Sequence, residues 1–343
     1  MSEDGIPRPV REAYDLDDTA AERVSVGWIN RTFVVRRGGA RFVLQRLHPV
    51  FAGEVNLDID AITRHLEAKG VQTPRLVRTR DERLWVTQGD GVWRMLTFLE
   101  GRTVDALDPP RAHAAARLAA RFHRALDDLD HRFHFTRPGA HDTPAHLAKL
   151  RRLRDPSHPQ ADAIVPLGDA VLEAAASLPA LGALPQRIVH GDLKATNVLF
   201  APDAPRARAL VDLDTLAYGT IAAELGDALR SWGNTASESD PEAAFDRAVF
   251  TAAMEGYAEG APGLLTDAEV DAIAVGAETI ALELASRFAA DVYEDAYFGW
   301  DRTRFASRVE HNLARVRAQL QLARSIRAQR AELEAIARRA FGR

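Results

Sequence analysis

The sequence has no cysteine. That excludes disulfides, thiolate metal sites and a cysteine nucleophile, and it leaves the redox compartment open. No apolar run approaches the ~20 residues needed to span a bilayer. The opening stretch "MSEDGIPRPVREAYD" has no apolar core of the signal-peptide kind. The expectation is a soluble, cytoplasmic protein. Charge of one sign is also lacking: 44 Lys and Arg stand against 49 Asp and Glu, a net −5. That balance argues against a nucleic-acid or membrane-surface partner. Neither G-x-G-x-x-G nor G-x-x-x-x-G-K-[ST] occurs, so the two glycine-rich phosphate cradles are absent.

What is present is a chain of 343 residues, 46% of them apolar, long enough for one large domain or two lobes sharing a cleft. Residues 1–20 are polar and read as a flexible N-terminus with room for one short helix. "TFVVRRGGARFVLQRL" reads as strand, glycine turn, strand. "LDIDAITRHLEAKG" has helical spacing with Gly70 as a stop, and "RLVRT", "RLWVTQ" and "GVWRMLTFLEG" follow as strands. From 110 onward helices dominate: one after Pro109-Pro110, one over 143–154, one over 163–178, and four more over 222–233, 241–259, 266–290 and 303–340. The predicted architecture is α+β and two-lobed. Residues 21–99 form a β-rich lobe, 100–343 a mostly helical one, with Leu99-Glu100-Gly101 as linker and a ligand cleft at the junction.

"RIVHGDLKATNVLF" sets an acid, a lysine and an amide between two apolar runs, and "ALVDLDT" follows with Asp212 and Asp214 at the end of another strand. A hairpin would return Asp212 to Asn197 and gather Asp192, Asn197 and Asp212 at one point. Phosphoryl transfer from ATP needs such a set. An acid orients the acceptor hydroxyl, oxygen ligands hold magnesium on the phosphates, and a lysine such as Lys194 offsets developing charge.

At these residues the chain resembles the aminoglycoside phosphotransferase and choline kinase superfamily, relatives of protein kinases. It is most similar to the N-acetylhexosamine 1-kinase group. The narrower resemblance rests on "INRTFVV…RFVLQRLH", "WRMLTFLEG", "ELGDALR" and "SRFAADVYEDAYF…EHNLARVRAQLQLARSI". It implies a protein-kinase-like fold, ATP as donor with Mg²⁺, and a small-molecule acceptor. Asp192 would be the catalytic base. Asn197 and Asp212 would hold magnesium, with Asp214 a further acid near metal or substrate. The hinge over Met95, Thr97, Phe98 and Glu100 would bind adenine, mainly through backbone groups. Asp227 would brace the catalytic loop, and Arg287 and Tyr297 would hold the acceptor. The implied reaction is phosphorylation of a sugar, such as an N-acetylhexosamine, at its anomeric hydroxyl. Aminoglycosides, amino alcohols and other sugars are the alternative acceptors, and the acids of 222–300 would suit a polycation. An inactive kinase-fold scaffold is the rival of another class, opposed by the intact Asp192, Asn197 and Asp212.

The chain departs from the family at Trp28, where a histidine is expected beside Gly27 near the acceptor. The basic residue meeting the ATP phosphates would be Arg46, or else the position falls on Gln45. Its acidic partner on the next helix would be Glu54 or Asp58. His190 reads as a packed loop brace. His131, His134 and His141 read as surface residues without metal-ligand spacing. Arg287 and Asp291, four apart on a helix, can also form a simple intrahelical pair. The charged C-terminal stretch reads as a solvated end helix.

Overall fold

The computed structural model describes residues 5–17, 21–24 and 30–343. Trp28, singled out above, lies outside the described residues. Among these, a six-stranded antiparallel sheet runs through β1 (Glu22–Val24), β2 (Arg31–Arg37), β3 (Ala40–Arg46), β6 (Gly91–Thr97) and β4 (Leu76–Val77), with β5 (Val86–Gln88) also paired to β6. The β2–β3 hairpin turns at Gly38-Gly39, both at positive φ, as the sequence predicts.

The N-terminus corrects its reading as flexible. Helix α1 (Arg8–Tyr14) has Pro7 at its N-cap and buries Val10 and Tyr14, with Ile6, against Phe33, Leu44, Trp93 and Met95 of the sheet. Apolar residues at 6, 10 and 14 form one helical stripe, and burying it overrides the polar composition around it. The helix predicted after β3 is α2 (Val55–Ala68), and it does not belong to the sheet's core. Val55, Ile59, Ile62 and Leu66 pack into the same cluster as the C-lobe helices.

The helical lobe starts at α3 (Pro109–Leu126), whose N-cap Asp108 accepts from the Arg111 amide ahead of two prolines. Then come α4 (Thr143–Leu153) and α5 (Ala161–Ala176). Two small ladders follow: β7 (Arg187–Val189) with β10 (Ala217–Gly219), and β8 (Val198–Phe200) with β9 (Ala207–Leu210). The second is the hairpin expected from the sequence, and Val211 N donates to Asn197 O at 2.9 Å. Helices α6 (Ile221–Trp232), α7 (Arg247–Gly260), α8 (Asp267–Glu294) and α9 (Arg308–Ala340) complete the lobe.

Helix α8 starts from a capping box of Thr266 and Glu269 and is buried on most of its circumference. It approaches α6 so closely that a Cβ on Gly276 would lie 2.1 Å from Ala222 O. This contact sets the acids of α6 opposite those of α8, which matters for the site. No helix among the described residues is long and apolar enough to cross a membrane.

Candidate active site

The loop Gly191–Asn197 joins β7 to β8. Gly191 has φ +76°, and a Cβ there would meet Thr215 O at 2.4 Å, so glycine lets the loop lie against the turn after Asp212. Two buried groups hold it. Glu224 of α6 accepts from His190 N and Gly191 N, both at 2.9 Å, and from His123 Nε2 at 3.1 Å. His190 bonds Val211 O at 2.9 Å through Nε2, the bracing role read from the sequence. Asp227, expected as the loop's brace, pairs instead with Arg230 at 2.9 Å, and the bracing acid is Glu224, one helical turn earlier. The sequence signal was available, because an acid three residues from another on an apolar helix falls on a similar face.

Asp192, Lys194, Asn197 and Asp212 come together. Asp192 Oδ2 accepts from Lys194 Nζ at 2.7 Å and from Asn197 Nδ2 at 3.1 Å, and Asn197 Nδ2 also donates to Asp192 O at 2.7 Å. With the amide nitrogen so used, Asn197 Oδ1 remains as an oxygen ligand. Burial opposes charge on Lys194, but Asp192 and Asp212 outweigh it and hold its pKa above the ordinary value. Asp212 sits in the left-handed region at φ 65°. Among the described residues no donor hydrogen-bonds its carboxylate. Burial, then the neighbouring Asp214 and Asp192, push its pKa up to about 6. An unpaired carboxylate amid like charges, beside a free amide oxygen, is a donor set that fits a hard divalent cation.

Asp214 is placed differently from its expected role near metal. It is buried, and its two oxygens accept from Arg94 at 2.5 and 2.9 Å and from Asn30 Nδ2 at 2.6 Å. Arg94 lies on β6, 1% exposed, and its Nε also donates to Gln45 Oε1 at 2.9 Å. Arg46 therefore does not fill the phosphate-facing position expected of it. It pairs with Asp90 on the β5–β6 turn at 2.7 Å. Neighbours on a strand point to opposite faces, so Gln45 and Arg46 cannot both face the second lobe, and Gln45 does. Neither Glu54 nor Asp58 is the acidic partner of a β3 cation; Glu54 is exposed and Asp58 binds histidines. An arginine inside the apolar strand "GVWRMLTF" was the visible sign of a buried ion pair.

At the hinge, Met95 is fully buried in the sheet core, between Leu44 and Val77. It is a wall residue, not an exposed contact. Thr97 Oγ1 accepts from Arg75 N at 2.9 Å. Arg41 lies 4.1 Å over the Phe98 ring and pairs with Glu100. Phe98 and Glu100 are thus tied to β3 through Arg41 and Thr97 to the start of β4 through Arg75, and the backbone of 98–100 leaves the sheet without regular structure.

On the acceptor side, His141 is not a surface residue. Its Nδ1 lies 3.4 Å from Glu283 of α8, and its Nε2 is 3.3 Å from Gly191 O, next to Asp192. Thr143 Oγ1 donates to Glu283 at 2.6 Å. Burial opposes a charged His141, but Glu283, Asp227 and Glu224 prevail and raise its pKa to about 9. A histidine raised in the folded state contributes stability that is complete below its unfolded pKa near 6.5 and is lost as pH rises through 9. Urea unfolding at pH 6 and pH 10 is expected to show wild type losing on the order of 2 kcal/mol more than His141→Gln across that interval. Equal losses would remove the buried charge from the account.

Arg287 follows Glu283 by one turn and lies 5.7 Å from the Phe298 ring centre. Tyr297 is half exposed, edge-on to Phe298 at 4.8 Å, and its hydroxyl meets Arg137. Asp291 does not pair with Arg287. It accepts the amides of Ala296, Tyr297 and Phe298 at 3.1, 2.7 and 3.0 Å and so shapes the loop that carries them. Acids that seemed to offer a polycation site are paired with the chain's own cations. Glu278 binds Arg327 and Arg330, Glu294 binds Lys149, and Asp295 binds Arg308.

Residues 20–262 match the Phosphotransferase enzyme family, and the chain belongs to that family. It is 29% identical to the homoserine kinase of Gluconacetobacter diazotrophicus over 298 residues, 83% of this chain and 84% of that protein. A match to the homoserine kinase of Beijerinckia indica, 28% identical over 174 residues, spans about half of both, 50% of this chain and 51% of the relative. An amicoumacin kinase solved with AMP-PNP and Ca²⁺ superposes with a TM-score of 0.67 at 15% identity, covering 94% of this chain and 93% of that one. The fold is thus the two-lobed, kinase-like fold expected from the sequence. The protein is a small-molecule phosphotransferase; the two sequence relatives are named for homoserine and the solved structure for amicoumacin, none of them for a sugar.

Proposed function

We propose that the protein transfers the γ-phosphoryl group of ATP to a hydroxyl of a small molecule, with the anomeric hydroxyl of an N-acetylhexosamine as first candidate. The observation that carries the kinase reading is the division of labour at Asp192. Its Oδ2 is occupied by Lys194 and Asn197, which leaves Oδ1 to receive the acceptor hydroxyl. The acceptor oxygen forms a bond to the γ-phosphorus, the bond to the ADP oxygen breaks, and the hydroxyl proton passes to the Asp192 carboxylate. Asn197 Oδ1 and the Asp212 carboxylate would hold Mg²⁺, which when bound neutralises phosphate charge. Lys194 keeps a positive charge beside the reacting groups.

The sugar reading is supported by Arg287 with Phe298 and Tyr297. That set offers donors to ring hydroxyls or an acyl oxygen and an aromatic edge for the apolar face. A second reading, a hydroxy amino acid such as homoserine, is favoured by the relatives' names and by Arg287, whose guanidinium suits a carboxylate. Neutralisation of the α8 acids speaks against an aminoglycoside.

The test is ADP release with Mg²⁺ and ATP on N-acetylglucosamine, N-acetylgalactosamine, homoserine, ethanolamine and kanamycin. Turnover on an N-acetylhexosamine, lost when its anomeric hydroxyl is methylated, is the expected result. Turnover on homoserine alone replaces the sugar with the second reading. No ADP release above the Asp192→Asn blank on any of them rejects both acceptors.

A further inference from the structure

Outside the phosphoryl-transfer site, Asp58 meets His131 and His134, which read in the sequence as surface residues without metal-ligand spacing. Asp58 on α2 is 1% exposed. His131 Nε2 and His134 Nδ1 both lie 2.9 Å from its Oδ1. Its Oδ2 accepts from the amide of Phe135 at 3.0 Å, and the His134 amide is shared between Oδ1 at 2.9 Å and Oδ2 at 3.2 Å. Burial works against this carboxylate's charge, but the His134 and Phe135 amides and both imidazoles hold its pKa below the ordinary range. The histidine loop is itself held in place. Phe133 packs edge-on to His131 at 4.9 Å and to Tyr218 at 5.6 Å, and the Tyr218 hydroxyl donates to His131 O at 3.0 Å.

We propose that Asp58, His131 and His134 form a binding site for a borderline divalent cation of the Zn²⁺ type, separate from the nucleotide's metal. One ligand atom from each lies within 4.8 Å of the other two. Two imidazole nitrogens and one carboxylate oxygen are the donors such an ion prefers, whereas Mg²⁺ and Ca²⁺ want oxygen alone. A tetrahedral ion with bonds of about 2.0–2.1 Å needs its ligand atoms about 3.3 Å apart. The 2.9 Å spacing to His134 opens to that by a small outward shift of this side chain, which is 52% exposed, and the 2.9 Å spacing to His131 opens by a movement of a few tenths of an ångström (~0.4 Å) between the imidazole and the carboxylate. That exposed side leaves the fourth position to water. Binding also requires each imidazole to carry its proton on the other ring nitrogen, His131 on Nδ1 and His134 on Nε2. The Phe135 amide on Oδ2 and the His134 amide bridging both oxygens are the supporting shell that keeps the carboxylate oriented; a carboxylate oxygen has lone pairs for both an amide and an ion.

The site joins α2 to the loop after α3. Two residues before Asp58, Asn56 Oδ1 lies 3.4 Å from Arg94 NH1, the arginine that holds Asp214. An ion here fixes α2 to the helical lobe beside the ion pair linking the sheet to the catalytic turn.

The experiment titrates chelator-treated, full-length protein with Zn²⁺ by calorimetry and with Co²⁺ by visible absorption. Wild type is compared with His131→Gln, His134→Gln and Asp212→Asn. The expected result is one Zn²⁺ per chain, the Co²⁺ bands of a four-coordinate site, and unchanged binding in Asp212→Asn. Each histidine variant is expected to lose at least about 10-fold in affinity, the scale on which metal sites respond to loss of a supporting group. His134 is exposed enough that its variant retains the fold, which circular dichroism checks. The proposal is overturned if wild type binds no Zn²⁺, if His134→Gln binds it as wild type does, or if Asp212→Asn abolishes the binding.

Discussion

Asp212→Asn is expected to end phosphoryl transfer while leaving a folded protein that is more stable without ligands than wild type. The activity loss follows from removing the charged member of the cation-holding pair. A drop of about 10³-fold or more in kcat is the scale for losing a preorganised electrostatic group. The stability gain follows from the raised pKa. A carboxyl whose folded pKa sits at about 6, against an ordinary 3.8, contributes stability that is complete below its unfolded pKa and is lost as pH rises through 6. At pH 8 the free wild type therefore carries an unpaired buried charge that asparagine removes, a gain on the order of 2 kcal/mol. Urea unfolding at pH 8 and pH 4, with turnover at pH 8, checks both halves. The variant's advantage should shrink at the lower pH, and wild-type turnover in Asp212→Asn would reject the site. Asp192→Asn serves as companion, expected to lose about 10²–10⁴-fold in kcat as a general-base residue does.

Arg94→Met is expected to produce the largest loss of stability. Arg94 and Asp214 are each about 2% exposed at the side chain, and the arginine bridges β3, α2 and the catalytic turn through Gln45, Asn56 and Asp214. Removing the guanidinium leaves a buried carboxylate with Asn30 as its remaining side-chain donor among the described residues, a cost of about 3–5 kcal/mol. Pairing Arg94→Met with Asp214→Leu should recover much of it, because a buried ion pair contributes far less than its broken half costs. Chemical denaturation of the two single variants and the double variant measures the coupling. Equal stability of Arg94→Met and wild type would mean that the pair does not join the lobes.

The secondary structure was largely legible. Periodicity and caps placed helices from 57 to the Gly70 stop and from 143 onward within a few residues of α2, α4, α6 and α8, because a helix's apolar stripe is written locally. The motif "HGDLKATN…VDLD" was also legible as a converging set, since a short hairpin joins its halves. Partners far apart in sequence were not. The bond between Arg94 and Asp214 spans 120 positions, and that between His141 and Glu283 spans 142, and no local pattern records either. The face of β3 was open for a related reason. Alternation says that Gln45 and Arg46 diverge, but which of them faces the second lobe depends on the strand's register with β6.

By itself, the sequence determined the element order, the hairpin after Asn197 and the convergence of Asp192, Asn197 and Asp212, all of which follow from short-range geometry. Tertiary structure alone decided which charges stay available. Packing α6 against α8 buried their acids beside specific cations and amides. Elsewhere the fold leaves Asp212 without a hydrogen-bond donor among the described residues and sets Asp58 of α2 against the histidine loop. Burial raises the cost of every unpaired charge, so the fold's long-range contacts select the groups left to act.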